Sequence, residues 1–192
     1  MTWEEELSVK KPIDVADLFP ELSQICDEQL RGKVVAVWDE LWQQSAWDDI
    51  NAVPTSTDIP YPHVPHNRSV VAMALAVADT FERIHGVKLN RDYLIAGALL
   101  QDASKLVEYR PGPGGGAEPS DIGRAYPHAF WGAHVAIGKG LPTPIVHIIL
   151  NHTPTSVRFP DSLEGKILYY VDQLDVLAIH TDRWRKELFI TK

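Results

Sequence analysis

Five side chains of metal-ligating type occur in order along this chain: His66, Asp102, His128, His152 and Asp172. Each falls on a stretch that reads as helix or helix end. Inward-pointing histidines and carboxylates from separate helices are how an all-helical core assembles a metal centre. Asp102 follows the apolar run 94–100 and Asp172 follows the run 167–171. Both carboxylates are therefore expected to be at least partly buried, where a charge needs a counter-charge. The three histidines offer neutral imidazole, the other common donor. Gln101 stands just before Asp102, where a histidine would be the stronger ligand, because an amide oxygen is a neutral and weaker donor toward Zn, Fe or Co.

Lys105 lies three residues after Asp102, so on a helix the two share a face. It is read either as a phosphate-binding or oxyanion-stabilising group, or as a salt-bridge partner of Asp102 or Asp172. Glu108, one turn on, could orient Lys105 but is read as a surface residue. Arg110 and Arg124 flank a glycine-rich segment, and a mobile lid carrying arginines would suit an anionic substrate, with Arg124 as a substrate contact. Of the other histidines, His63 sits near His66 and could support it. His85, His134, His147 and His180 are read as structural.

The elements that must position these groups are helices. Apolar residues recur at helical spacing over residues 13–25, 27–47, 67–85, 90–109, 128–138, 143–152 and 161–180. Trp38 and Trp42 are an i,i+4 pair on an apolar stripe and are read as core. Asp161 and Glu164 fit a capping-box variant. Residues 48–65, with four prolines, read as a surface connection, and residues 110–124 as a mobile loop. That loop lacks the Gly-Lys-Ser/Thr ending of a phosphate-binding P-loop. The charged first dozen residues read as a loose end. No alternating strand pattern is present, so the fold class expected is all-α.

Composition narrows the partners. A net charge of −8 argues against non-specific nucleic-acid binding, since phosphate backbones attract basic surfaces. Cys26 is the single cysteine, which excludes an intrachain disulfide. The acidic start lacks the order of a signal peptide, and the longest apolar runs are too short to span a bilayer. A cytoplasmic protein with a small-molecule substrate is expected. A small basic cluster, Arg183, Trp184, Arg185 and Lys186, reads as surface or as an oligomer contact, leaving room for a homodimer.

Several stretches carry a family likeness: His66-Asn67-Arg68-Ser69-Val70-Val71-Ala72, Leu99-Leu100-Gln101-Asp102-Ala103-Ser104-Lys105-Leu106, His128-Ala129-Phe130-Trp131-Gly132-Ala133, Ile149-Leu150-Asn151-His152 and Val171-Asp172. In this order and spacing they resemble the HD-domain superfamily of metal-dependent phosphohydrolases, with Gln-Asp in place of the His-Asp dyad. The resemblance spans residues 66–180 or so. It implies an HD-type helical bundle over residues 56–192, with a helical extension over residues 1–55 packed on it. It also implies one or two divalent transition-metal ions (Fe, Mn, Zn, Co or Ni). The first site would take His66, Asp102 and Asp172, with Gln101 as a poor fourth ligand. The second would take Asp102, His128 and His152, a 2-His-1-carboxylate set that the Gln101 departure leaves as the stronger one. The implied activity is hydrolysis of a small phosphate ester or nucleotide, with Asp102 and Lys105 in catalytic roles. Two rival readings are an HD-fold iron oxygenase, lyase or non-phosphate hydrolase acting on an organic substrate, and a non-catalytic binding module.

Overall fold

The computed structural model describes residues 10–180. The cluster at 183–186 lies outside the described residues. The architecture is a bundle of helices with one small hairpin. Helix α1 (Val15–Leu18) is capped by Asp14, which accepts from the amides of Ala16 and Asp17. Phe19 and Pro20 end it, and a 3₁₀ turn over Pro20–Gln24 follows. The single helix expected over 13–25 is thus broken, because proline cannot continue the hydrogen-bond ladder. Asp27 caps α2 (Glu28–Gln44) through the amides of Gln29 and Leu30. Lys10 donates to the carbonyl of Ser45 at 2.9 Å and lies 3.8 Å above the Trp42 ring. The described end of the first dozen residues is therefore pinned down rather than loose.

Helix α3 (His63–His85) begins four residues earlier than the periodicity suggests and ends on Gly86 in the left-handed region. Its start accommodates Pro65, since the first turn needs no amide donors. The connection before it is partly internal: Val53, Thr55 and His63 are all buried, and the His63 amide donates to the Val53 carbonyl at 2.8 Å. Helix α4 (Arg91–Leu100), capped by Asn90, is the central rod, buried from Leu94 through Leu100. Its neighbours are α2, α3, α8 (Thr143–Asn151) and α9 (Leu163–Ile179). Gly97 makes that possible, because a Cβ there would lie 2.9 Å from Ile148 and 3.1 Å from Leu168.

The expected helix over 90–109 breaks after Leu100. Residues 101–104 form tight turns, with Ala103 and Lys105 amides bonded to the carbonyls three residues back. Helix α5 (Lys105–Glu108) follows. Residues 109–119 are a hairpin rather than a loop. Strand β1 (Tyr109–Pro111) pairs antiparallel with β2 (Ala117–Pro119), with Arg110 opposite Glu118. Gly115 and Gly116 turn the chain at φ 80° and 77°, where other residues would be strained. Ser120 caps the short α6 (Asp121–Ala125), which leads through Tyr126 and His128 to α7 (Phe130–Gly138). Ser162, not Asp161, caps α9. Glu164 instead accepts from the Asn90 amide at 2.7 Å and ties the starts of α9 and α4 together.

One hydrophobic cluster runs through all of this, from Val15 and Trp38 to Val171. Trp38 is fully buried, packs on Phe19 at 4.7 Å and donates to the Leu99 carbonyl at 3.2 Å. Cys26 is an exposed free thiol. Among the described residues, no helix is long and apolar enough to cross a membrane.

Helix α6 clamps α5 at close range. The Ser120 amide donates to the Glu108 carbonyl, and a Cβ on Gly123 would stand 2.2 Å from that same oxygen. Gly123→Ala should therefore cost about 1–3 kcal/mol or more, read as a lower urea midpoint with an unchanged slope.

Candidate metal centre

The turn at 101–104 aims Asp102 into the interior. The residue is 1% exposed, and its two carboxylate oxygens face different clusters. Oδ2 lies 3.1 Å from Nε2 of His66 on α3, which in turn is 3.3 Å from Oδ1 of Asp172 on α9. Oδ1 lies 3.1 Å from Nε2 of His128 and 3.3 Å from Nε2 of His152. Those two histidine nitrogens are 3.3 Å apart. Each triplet brings its ligand-type atoms together within 4.8 Å. Residues from five separate stretches thus meet around one carboxylate.

The outer nitrogens of the three histidines are all spoken for. His66 Nδ1 pairs with Asp175 at 2.6 Å, His128 Nδ1 with Glu108 at 2.7 Å, and His152 Nδ1 with the Ile149 carbonyl at 2.8 Å. In a neutral imidazole this makes Nδ1 the N–H donor and leaves the Nε2 lone pair pointing inward. Two lone pairs facing each other at 3.3 Å repel unless a positive species lies between them. Fixing the outer nitrogen with a carboxylate or carbonyl is the usual support of a metal-bound histidine.

The donor set fits a divalent ion. Arms of 2.0–2.1 Å give a tetrahedron with edges of about 3.3–3.4 Å and an octahedron with edges of about 2.8–3.0 Å; the observed separations of 3.1–3.3 Å fall in that span. Asp102 Oδ1 is buried and close to both imidazoles, yet it makes no hydrogen bond of acceptable angle, as expected of an atom aimed at a shared centre. Gln101 is fully buried beside this group. Its Nε2 donates to Asp172 at 3.4 Å and its Oε1 has no partner.

Charge is arranged to match. Lys105 Nζ donates to Asp102 Oδ2 at 2.6 Å, so the lysine is one member of a buried ion pair. Burial raises the Asp102 pKa, but Lys105 and the three histidines outweigh it and hold the carboxyl well below its ordinary range. Burial depresses His66, but Asp102, Asp172 and Asp175 reverse this and push it up to about 10. His128 is likewise lowered by burial and raised, on balance, to about 9 by Glu108 and Asp102.

The supporting roles of Glu108 and Asp175 escape a reading of the sequence, and His63, expected to support His66, makes no hydrogen bond to it. Glu108 is 5% exposed, not a surface residue, and orients His128 rather than Lys105. Its other oxygen accepts from Ser104 Oγ at 2.5 Å and from the Ala129 amide at 2.9 Å. Ala129 takes a positive φ of 66° to make that bond. Asp175 accepts from both His66 and Ser69. Its position one turn after Asp172 on α9 was the available signal. His63 is fully buried with neither ring nitrogen paired, stacked 5.7 Å from Trp38. Burial pushes its pKa down to about 3.

Arg124 is not brought into the cluster. It is exposed and turns back on its own helix, to Asp121 and the Pro119 carbonyl at 2.5 Å each. Arg110 is engaged by Glu118 at 2.7 Å. His147 lies outside the cluster but lines a cavity of 460 Å³ that opens at His128.

One similarity bears on this geometry. Over 116 residues the chain is 33% identical to the dihydroneopterin 2',3'-cyclic phosphate phosphodiesterase of Methanocaldococcus jannaschii. The match covers 58% of this chain and 45% of that protein, so the chain spans less than half of its relative's length. No family model matches the chain, and no solved structure matches it.

The raised histidines set a pH signature. In metal-free protein His66 and His128 carry protons at pH 7, while the unfolded chain loses them near 6.5. Their contribution to stability is full below pH 6.5 and fades as pH rises through about 9 and then 10. Metal-free protein should therefore melt at falling temperatures over that window in a scanning-calorimetry series. Metal loading at pH 7.5 should release protons, detected as a binding enthalpy that varies with the buffer's ionisation enthalpy.

Proposed function

We propose that the chain is a metal-dependent phosphohydrolase of the HD type, acting on a small phosphate ester. The observation that carries this reading is the shared carboxylate: Asp102 faces a histidine and an aspartate through one oxygen and two histidines through the other. Two cation positions sharing one carboxylate would suit a phosphate ester, whose attacking and leaving oxygens both need stabilisation. The similarity to a cyclic-phosphate phosphodiesterase supports phosphate chemistry over the oxygenase or lyase alternatives.

His66, Asp102 and Asp172 would hold one ion, and Asp102, His128 and His152 the other. A bound divalent ion supplies Lewis acidity and a water acidic enough to be a nucleophile near neutral pH. Glu108 and Asp175 keep His128 and His66 in the tautomer that presents Nε2. Lys105 neutralises Asp102 while the site is empty of cations. Once a cation takes over that role, its ammonium is available to a phosphoryl oxygen or a departing alkoxide. Gln101 contributes a buried amide oxygen beside Asp172, weaker than the imidazole found in the usual dyad. The second position, with two histidines and a carboxylate, is the stronger of the two.

Loss of ligands tests the assignment. His128→Ala and His152→Ala should each remove most bound metal in elemental analysis, and full stoichiometry in both would refute the strong second position. Gln101→His should raise the content toward two ions per chain. Manganese- or iron-loaded protein should hydrolyse nucleoside 2',3'-cyclic phosphates, and Asp102→Asn should abolish turnover. A metal-free purified protein whose melting ignores both added metal and chelator would instead indicate a non-catalytic module.

A further inference from the structure

The geometry points to the 460 Å³ cavity beside His128 as the subsite for the organic part of the substrate, with Phe130 as its stacking platform and Arg158 as the cation that receives its phosphate charge. This rests on the reading above only in placing the reacting bond at the metal centre.

Access comes first. Asp102 and His152 are 1% exposed and His66 is fully buried, whereas the His128 side chain is 27% exposed. His128 is the residue shared by the metal centre and the cavity wall. A substrate reaching the second cation position from this side must therefore pass through the cavity. Its volume is in the range of sites that enclose small organic ligands.

The walls specify what fits. Phe130, Leu150 and Val157 line the cavity and remain 40%, 38% and 99% exposed. Phe130 is braced by Tyr126 in a near-parallel stack at 5.1 Å and 12°. A braced aromatic ring offers a flat ligand an offset-stacked contact at little entropic cost. Two polar lining residues are held in place: Asn151 donates to the His147 carbonyl at 2.8 Å, and His147 Nε2 accepts from the Asp161 amide at 3.1 Å. An exposed, braced aromatic ring beside fixed polar groups suits a planar heteroaromatic ring.

Lys105 is paired with Asp102, Arg110 with Glu118 and Arg124 with Asp121. Arg158 lines the cavity, is exposed, and makes no ion pair or side-chain hydrogen bond among the described residues. Guanidinium is the side chain best shaped to grip two phosphate oxygens at once. The anion contact that the sequence suggests for Arg124 thus falls to Arg158, in the wall of the cavity that His128 also lines.

The test uses the full-length, metal-loaded protein and two probes, guanosine 3'-phosphate and guanosine, measured by calorimetry. Arg158→Ala should weaken the nucleotide about ten- to hundredfold and leave the nucleoside unchanged, while Arg158→Lys restores part of the loss. Phe130→Ala should weaken both probes. Both side chains are exposed, so unchanged melting temperatures should accompany these effects. Equal nucleotide affinity in wild type and Arg158→Ala, or no binding of either probe by wild type, would overturn the assignment. If the variants discriminate as expected but no cyclic phosphate is cleaved, the proposed activity falls and the subsite stands. Cleavage with Michaelis constants unchanged in both variants gives the reverse.

Discussion

A single buried carboxylate governs the middle of this molecule. Asp102 sits where an unpaired charge would cost several kcal/mol, and four side chains from α3, α5, α7's approach and the end of α8 converge on it. Lys105 and the histidines stabilise it as an anion. The same convergence brings the Nε2 atoms of His128 and His152 within 3.3 Å of one another. The surrounding carboxylates push His66 and His128 toward protonation, so metal and protons should compete for these positions.

The bundle exists to hold that convergence. Gly97 lets α8 and α9 approach the central helix closely enough for His152 and Asp172 to reach its end. The tight turns at 101–104 and helix α5 then bury Gln101, Asp102, Lys105 and Glu108 together. Short 3₁₀ segments inside a helical stretch commonly mark such functional breaks. The hairpin and α6 close over α5, so that Glu108 touches both the clamp and His128.

Much of this was legible in the residues themselves. Long amphipathic stretches such as those of α2 and α3 declare their periodicity. His66, Asp102, His128, His152 and Asp172 stood out because acids at the ends of apolar runs are rarely left unpaired. The supporting layer was not visible in the same way. Nothing in the spacing of Glu108 shows that the helix before it breaks, and a continuous helix would have left it outside. The hairpin was hidden because three-residue strands carry too few alternations to read, and its glycines look the same in a loop. Arg124 looked poised for a ligand because the nearby Asp121 that engages it is adjacent only once α6 winds.

Ala129 ties these themes to the chain's own economy. An L-residue with φ of 66° carries a strain of about 1–2 kcal/mol that a glycine would not. Yet it is buried, its amide is locked to Glu108, and it directly follows His128. The kink sets the direction from which that imidazole arrives. A glycine here would be the easier residue to fold and the looser hinge. The alanine makes the backbone a spring held under load, and the molecule gives up conformational comfort at this point for a fixed angle of approach.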